Sequence, residues 1–216
     1  MSRANPAVTK TIVCDNTELL VYAAAIKDRT TAPSIPASLE SIFNQLAPFA
    51  KQRRLLLVIR DTDQMEVQRE RFPWYWVRGA QEVYIGLPHW KTVHQNALIS
   101  AISAGLYAMV REEYVYPFRV GETLVQAGAA SLFAAEVSQW EAPWLGGPFE
   151  QETRADIFRR WSHDVDGTYA GVEEADLETF QAGFGAELVR QHFSDGFDLE
   201  ESLTTPVDAF RKYVLG

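Results

Sequence analysis

The run Arg54-Leu55-Leu56-Leu57-Val58-Ile59-Arg60 decides the fold class, because it is apolar throughout and has a charged residue at each end. A short apolar run bounded in this way is typical of a strand that is covered on both faces. A second strand is predicted over Glu82–Gly86. Between the two, residues 72–77 read Phe-Pro-Trp-Tyr-Trp-Val. Pro73 favours an edge strand there, because proline donates no hydrogen bond to a neighbouring strand.

Outside this region the sequence predicts one more short strand and then mostly helices. The apolar pattern predicts a strand at 11–14 and helices at 17–27, after Ser38, and at 96–113, 122–137, 151–161, 173–193 and 207–214. Strands early and helices late indicate an α+β fold, a small N-terminal sheet followed by a mostly helical part. We expect a single domain over residues 1–216, with residues 1–10 frayed.

Composition and charge exclude several classes of protein. The chain has 216 residues, a formal net charge of −9 and a pI near 5.0. So acidic a chain is poorly suited to bind nucleic acid, which is usually held by a basic face. The single cysteine, Cys14, excludes a disulfide framework and a CxxC zinc site. Without a signal sequence or an apolar run long enough to span a bilayer, we expect a cytoplasmic protein that does not bind membranes.

One strand and three helical segments carry a resemblance to a known family. In chain order they are Val83-Tyr84-Ile85, residues 104–111 (AGLYAMVR), residues 122–133 (ETLVQAGAASLF) and residues 181–189 (QAGFGAELV). This order resembles the YjaZ-like predicted zinc-dependent proteases, a group of zincin-like bacterial domains. That family shows a strand ending in tyrosine, a helix near HExxHxxR, a helix near ESLxSEGLAxxF and a motif near GYxxGYxxV. The resemblance covers about residues 50–210 and implies a zincin-like fold.

The residues that carry the chemistry of that family are replaced in this chain. A zincin binds zinc through two histidines one helical turn apart and a third ligand, and a glutamate acts as general base on zinc-bound water. Those positions, with the two family tyrosines, read Ala104, Gly105, Ala108, Ala127, Ala182 and Ala186. The retained framework positions are Leu106, Arg111, Glu122, Leu124, Gly128, Phe133, Gly185 and Val189. The resemblance therefore implies a pseudoenzyme without catalytic residues, metal or other cofactor.

A binding function follows from this interpretation. The expected partner is a protein, a peptide or a small ligand, and a homo-oligomer is left open. In place of the zinc site we expect an apolar vestigial cleft lined by Ala104, Gly105, Tyr107, Ala108 and Ala127. An unrelated α+β fold with an alanine-rich buried helix pair is the alternative to the family assignment.

Two groups of aromatic residues bear on recognition. Trp140, Trp144 and Leu145 belong to a loop rich in proline and glycine, and we expect this loop to contact the partner. Trp74 and Trp76 are interpreted as core residues rather than as a recognition surface.

A hydrolase with an unidentified active site is the alternative function, and it would be centred on the acidic His163–Asp166 loop. The stretch Asp164-Val165-Asp166-Gly167 could curl oxygen atoms around a hard cation, as calcium loops do. The glutamate expected at position 12 of such a loop is replaced by Ala175, so a solvated acidic turn is favoured. A purely structural subunit of an oligomer is a third interpretation.

Overall fold

The computed structural model describes residues 10–23, 35–61, 74–87, 95–115, 118–140, 149–194 and 196–215. The strands are β1 (Lys10–Cys14), β2 (Thr17–Ala23), β3 (Arg54–Asp61), β4 (Trp74–Arg78) and β5 (Glu82–Leu87). The helices are α1 (Leu39–Leu46), α2 (Gln95–Arg111), α3 (Val120–Ser138), α4 (Gln151–Arg160), α5 (Leu177–His192) and α6 (Leu199–Thr204). Short 3-10 turns cover Ala47–Phe49, Glu174–Asp176, Val207–Ala209 and Arg211–Tyr213. The predicted α+β class, with an N-terminal sheet and a mostly helical remainder, is confirmed.

The chain divides into two compact units. The first comprises the residues up to Glu113 together with Val137–Trp140, and the second comprises Tyr114–Glu136 together with the residues from Glu141 onward. The first unit contains the sheet, α1 and α2, whereas the second contains most of α3 and the helices that follow. That residues 1–216 form one domain stays a prediction.

Within the described residues, the first unit is organised around one mixed sheet of five strands in the order β1-β2-β3-β5-β4. The three inner strands β2, β3 and β5 are parallel, and each edge strand is antiparallel to its neighbour. The prediction that the aromatic segment forms an edge strand is therefore confirmed by β4. A helix, α1, connects the parallel strands β2 and β3, as parallel neighbours require a crossover.

The two faces of the sheet differ in burial. On β3, Leu55, Leu57 and Ile59 are at most 1% exposed, whereas Leu56 and Val58 between them are half-buried. The expectation that this strand is covered on both faces was thus correct for one face only. Helix α2 packs against β4 and β5 on the buried side, and α1 contacts both α2 and β1.

The predicted helix at 17–27 is wrong for the residues that the structure describes, because Thr17–Ala23 form β2. Thr17, Leu19 and Val21 are buried and alternate with half-buried residues, which is the period of a strand rather than of a helix. The strand follows β1 through a two-residue turn in which Asp15 has a φ of 50°. Aspartate tolerates this left-handed conformation, so the chain can reverse there and form a hairpin.

The end of α2 is tied to the start of β3 by one carboxylate. Glu113 accepts hydrogen bonds from the backbone N–H groups of Lys51 at 2.6 Å and Gln52 at 3.4 Å. The Lys51 ammonium also donates to the Glu113 carbonyl at 2.8 Å. Burial raises the pKa of the Glu113 carboxyl above its ordinary value, and the two backbone hydrogen bonds offset this only in part.

The raised pKa of Glu113 predicts a pH dependence of stability. A carboxyl whose folded pKa lies above its unfolded pKa contributes stability at acid pH that is lost as the pH rises through the folded value. As the pH falls from neutral, the free energy of unfolding of the native chain should therefore increase relative to that of Glu113→Gln. Urea unfolding of both proteins over a pH series measures this difference, and Glu136→Gln, at an exposed position, controls for net charge. A difference that stays constant or grows with rising pH would contradict the prediction.

Two glycines bring α3 and α5 into backbone contact in the second unit. A Cβ atom added at Gly128 would overlap the backbone of Gly185, and one added at Gly185 would overlap the carbonyl oxygen of Leu124. Flanking residues at the crossing are small or buried as well, including Ala186 and Val189. Glycine is needed at both positions because the obstructing atoms are backbone atoms, which cannot move aside as a side chain can.

We expect Gly128→Ala and Gly185→Ala each to lower the free energy of unfolding by more than about 2 kcal/mol, because the helices must separate to admit a methyl group. In contrast, Ser131→Ala on the same helix adds no atom and should stay within about 0.5 kcal/mol of the native chain. Chemical denaturation monitored by circular dichroism measures both effects. An alanine at either glycine that leaves stability unchanged would show that the crossing is looser than described.

Most predicted helices of the second unit are present, with differences at their ends. The predictions at 122–137, 151–161 and 173–193 correspond to α3, α4 and α5. The segment predicted as a helix at 207–214 instead forms two 3-10 turns. Helix α6 was not predicted, because its six residues are too few to show an apolar period. Asp198 precedes the helix as its N-cap, and its carboxylate accepts a hydrogen bond from the Glu201 N–H at 2.7 Å.

Candidate functional site

The predicted vestigial cleft falls on both units. Ala104, Gly105, Tyr107 and Ala108 lie on α2 in the first unit, where all four are buried and Tyr107 and Ala108 are fully inaccessible. Ala127 lies half-buried on α3 in the second unit. That these residues line one cleft stays a prediction. On α2 itself they are packing residues of the core, and Ala104, Gly105 and Ala108 carry no group that could hold a metal ion or transfer a proton.

Gly105, the position that the resemblance would align with a glutamate, lies directly against the sheet. A Cβ atom at this position would be 2.6 Å from Cγ2 of Val83 and 3.1 Å from Cβ of Tyr75. Both neighbours belong to the buried side of β5 and β4, so no side chain fits between helix and sheet without displacing one of them. The position serves the close approach of α2 to the sheet.

The retained framework positions are all buried. They are Leu106, Arg111, Glu122, Leu124, Gly128, Phe133, Gly185 and Val189. Gly128 and Gly185 meet at the crossing of α3 and α5. Packing alone would select small or apolar residues at most of these positions, so their presence indicates a core and not, by itself, any chemistry.

The acidic loop that was the alternative catalytic site is held by an arginine. Arg160 donates to Asp166 at 2.5 Å, to Asp156 at 3.1 Å and to the backbone carbonyl of Thr168 at 2.9 Å. Burial by itself lowers the pKa of Arg160, but the hydrogen bonds and charges of Asp156 and Asp166 outweigh it, so the pKa is raised. The loop carboxylate at 166 thus neutralises a cation of α4.

The backbone of the same loop caps the start of α3. The N–H groups of Val120 and Gly121 donate to the carbonyls of His163 and Trp161, each at 3.0 Å, and Val165 N–H donates to Phe118. The first N–H groups of a helix have no partner within the helix, so this pairing satisfies two of them. The His163 side chain is exposed. In the described part of the chain, no three His, Cys, Asp or Glu side chains are grouped to hold a metal ion.

These contacts predict that the acidic loop does not depend on calcium. Millimolar calcium should leave the melting temperature of the native chain unchanged. Asp166→Asn should cost less than about 1 kcal/mol, because it removes one ion pair whose aspartate is 80% exposed. Differential scanning fluorimetry with calcium or with a chelator measures both. A calcium-dependent rise in melting temperature that Asp166→Asn abolishes would instead establish a cation site in the loop.

The proposed recognition loop is described only at its beginning. Trp140 is half-buried, and its backbone N–H donates to the hydroxyl of Ser138 at 3.2 Å, just after the end of α3. Gln139 between them has a φ of 51°, so the chain turns sharply there. Trp144 and Leu145 lie outside the described residues, and their part in recognition stays a prediction.

An aromatic cluster on the outward side of the sheet was missed by the sequence interpretation. We call this side the open face, and it consists of the even-numbered residues of Glu18–Tyr22, Arg54–Arg60, Trp76–Arg78 and Glu82–Tyr84. Trp76, which was interpreted as a core residue, is half-buried there and stacks on Tyr84, with ring centroids 4.7 Å apart and planes at 9°. The Arg60 guanidinium lies 4.8 Å from the Trp76 ring centroid and 5.4 Å from that of Tyr84.

The sequence contains a signal for this cluster, which is the alternation of side-chain types along the strands. On β4 and β5, Trp76, Arg78, Glu82 and Tyr84 occupy alternate positions, which is typical of strands with one face toward solvent, whereas β3 carries the apolar Leu56 and Val58 on the same face. The pairing of Trp76 with Tyr84 could not be predicted, because it depends on the register between β4 and β5.

Comparisons of the chain with models of protein families, with curated proteins and with solved structures find no match. Among the helices of the described ranges, none has the length and hydrophobicity needed to cross a membrane.

Proposed function

We propose that this protein is a non-catalytic binding domain built on a degenerate zincin-like scaffold. The order of elements supports the proposal, since β5, with Tyr84 within it, is followed by α2 and then by α3, as the resemblance implies. The packing of α2 against β4 and β5 supports it further. The proposed partner is a protein, a peptide or a small ligand, and the proposed compartment is the cytoplasm.

The observation that carries the proposal is the use of α2 for packing. The positions at which a zincin needs two histidines and a glutamate are occupied here by Ala104, Ala108 and Gly105, all of them buried. At Gly105 the sheet leaves no room for a longer side chain. A zinc-bound water requires both ligands and an open coordination position, and this stretch of α2 supplies neither.

Metal analysis of the purified chain tests the proposal. We expect far less than one zinc ion per chain, a melting temperature that does not change with a chelator, and no cleavage of peptide substrates after incubation with zinc. Elemental analysis, thermal melts and mass spectrometry of the peptides provide the three measurements. Stoichiometric zinc that is lost with a chelator, together with a fall in melting temperature or with peptidase activity, would overturn the proposal, because structural and catalytic zinc both stabilise the folded chain.

A further inference from the structure

The centre of the open face is a row of apolar and aromatic side chains. The strand register places Tyr22, Val58, Tyr84 and Trp76 side by side across β2, β3, β5 and β4. All four are half-buried, whereas the buried side of the same strands is closed by the core. With adjacent strands about 4.8 Å apart, the row spans about 14 Å, which is enough to receive a few residues of another chain.

Arg60, two residues after Val58 on β3, provides a cation beside this row. Its side chain is exposed, and its guanidinium is held over the Trp76 and Tyr84 rings. A cation–π contact uses the face of the guanidinium and leaves its in-plane N–H groups for a carboxylate. Among the residues that the structure describes, no carboxylate makes an ion pair with Arg60. The donors are thus oriented before any partner arrives.

The charge of the open face is opposite to that of the chain. The face carries three arginines (Arg54, Arg60 and Arg78) against two glutamates (Glu18 and Glu82), while the whole chain has a net charge of −9. Arg54 is paired with Glu18 at 2.9 Å, and Glu82 accepts a hydrogen bond from the Tyr84 hydroxyl at 3.1 Å. At physiological ionic strength charges beyond about 8 Å are largely screened, so a docked segment responds mainly to this local excess of arginine.

We propose that the open face binds an acidic protein segment that also carries apolar side chains. The carboxylate would pair with Arg60, and the apolar side chains would cover the row from Tyr22 to Trp76. Single-stranded nucleic acid fits less well, because Trp76 and Tyr84 each use one ring face for the other and Arg60 lies over both rings. Base stacking needs an open ring face, and this arrangement leaves fewer ring faces open. This inference rests on the proposed binding function and gives its partner a chemistry.

The experiment uses the full chain and a short synthetic peptide in which glutamates alternate with leucines and phenylalanines. A matched peptide carries lysine in place of glutamate, and labelled oligothymidylate is the nucleic-acid probe. Fluorescence anisotropy measures binding, and sedimentation at rising concentration measures self-association. The variants are Arg60→Gln, Arg60→Lys and Arg159→Gln. Arg159→Gln makes the same change in net charge at an exposed position of α4 and is the control. Thermal melts verify that each variant is folded.

We expect the acidic peptide to bind the native chain more tightly than the lysine peptide does. Arg60→Gln should weaken this binding at least about tenfold. The affinity of Arg60→Lys should lie between those of the native chain and Arg60→Gln, because lysine keeps the charge and loses the bidentate contact. Arg159→Gln should leave it unchanged. The inference is overturned if neither peptide binds, if Arg60→Gln has no effect, if oligothymidylate binds instead, or if the chain self-associates through a contact that Arg60→Gln disrupts. Mass spectrometry of the incubated peptide separates the two proposals, since cleavage would overturn the non-catalytic function whether or not binding depends on Arg60.

Discussion

The parallel pairing of β3 on both of its sides is the constraint on which the first unit depends. Because β2 and β5 are hydrogen-bonded to it, the alternation of side chains along β3 sets the two faces of the sheet. Leu55, Leu57 and Ile59 are buried in the core, and the even-numbered residues of β3 form the centre of the open face. A shift of one residue would bury Arg60 and expose Leu57 and Ile59, so the buried face fixes the location of the cation as well.

In the second unit the corresponding constraint is the contact between α3 and α5. Gly128 and Gly185 let the two backbones meet, and this close approach accounts for the small residues that the resemblance counts as framework. The same residues would be needed in any protein with such a crossing. Packing therefore explains most of the positions on which the proposed resemblance rests, Arg111 and Glu122 excepted, whereas Ala104 and Ala108 stand where a zincin would have its histidines.

The elements that were predicted from the sequence are those with a clear pattern of buried apolar residues. Strands β3 and β5 and helices α2 and α3 were predicted because their burial is decided locally. Strand β2 was not, because Leu19, Leu20 and Tyr22 fit a helical face as well as a strand, and the choice is made by the neighbouring strands β1 and β3. At the candidate site, the sequence alone shows that Ala104 and Ala108 have no side-chain group that could bind a metal ion. The stacking of Trp76 on Tyr84 could not be predicted, because these residues meet only through the register of the antiparallel strands β4 and β5.

The way in which Arg60 covers the aromatic pair connects stability with recognition. Apolar surface left in water forgoes about 25 cal/mol of stabilisation for each Å² that could have been buried, so the part of the half-buried row that faces water is unfavourable unless something covers it. The aliphatic stem and flat guanidinium of an arginine can lie on rings while the charge stays in water. Lysine would place a compact, strongly hydrated charge there and would cover less of the ring surface. Arginine at position 60 therefore reduces the cost of the open face in the free protein and keeps its N–H donors oriented for an acidic partner.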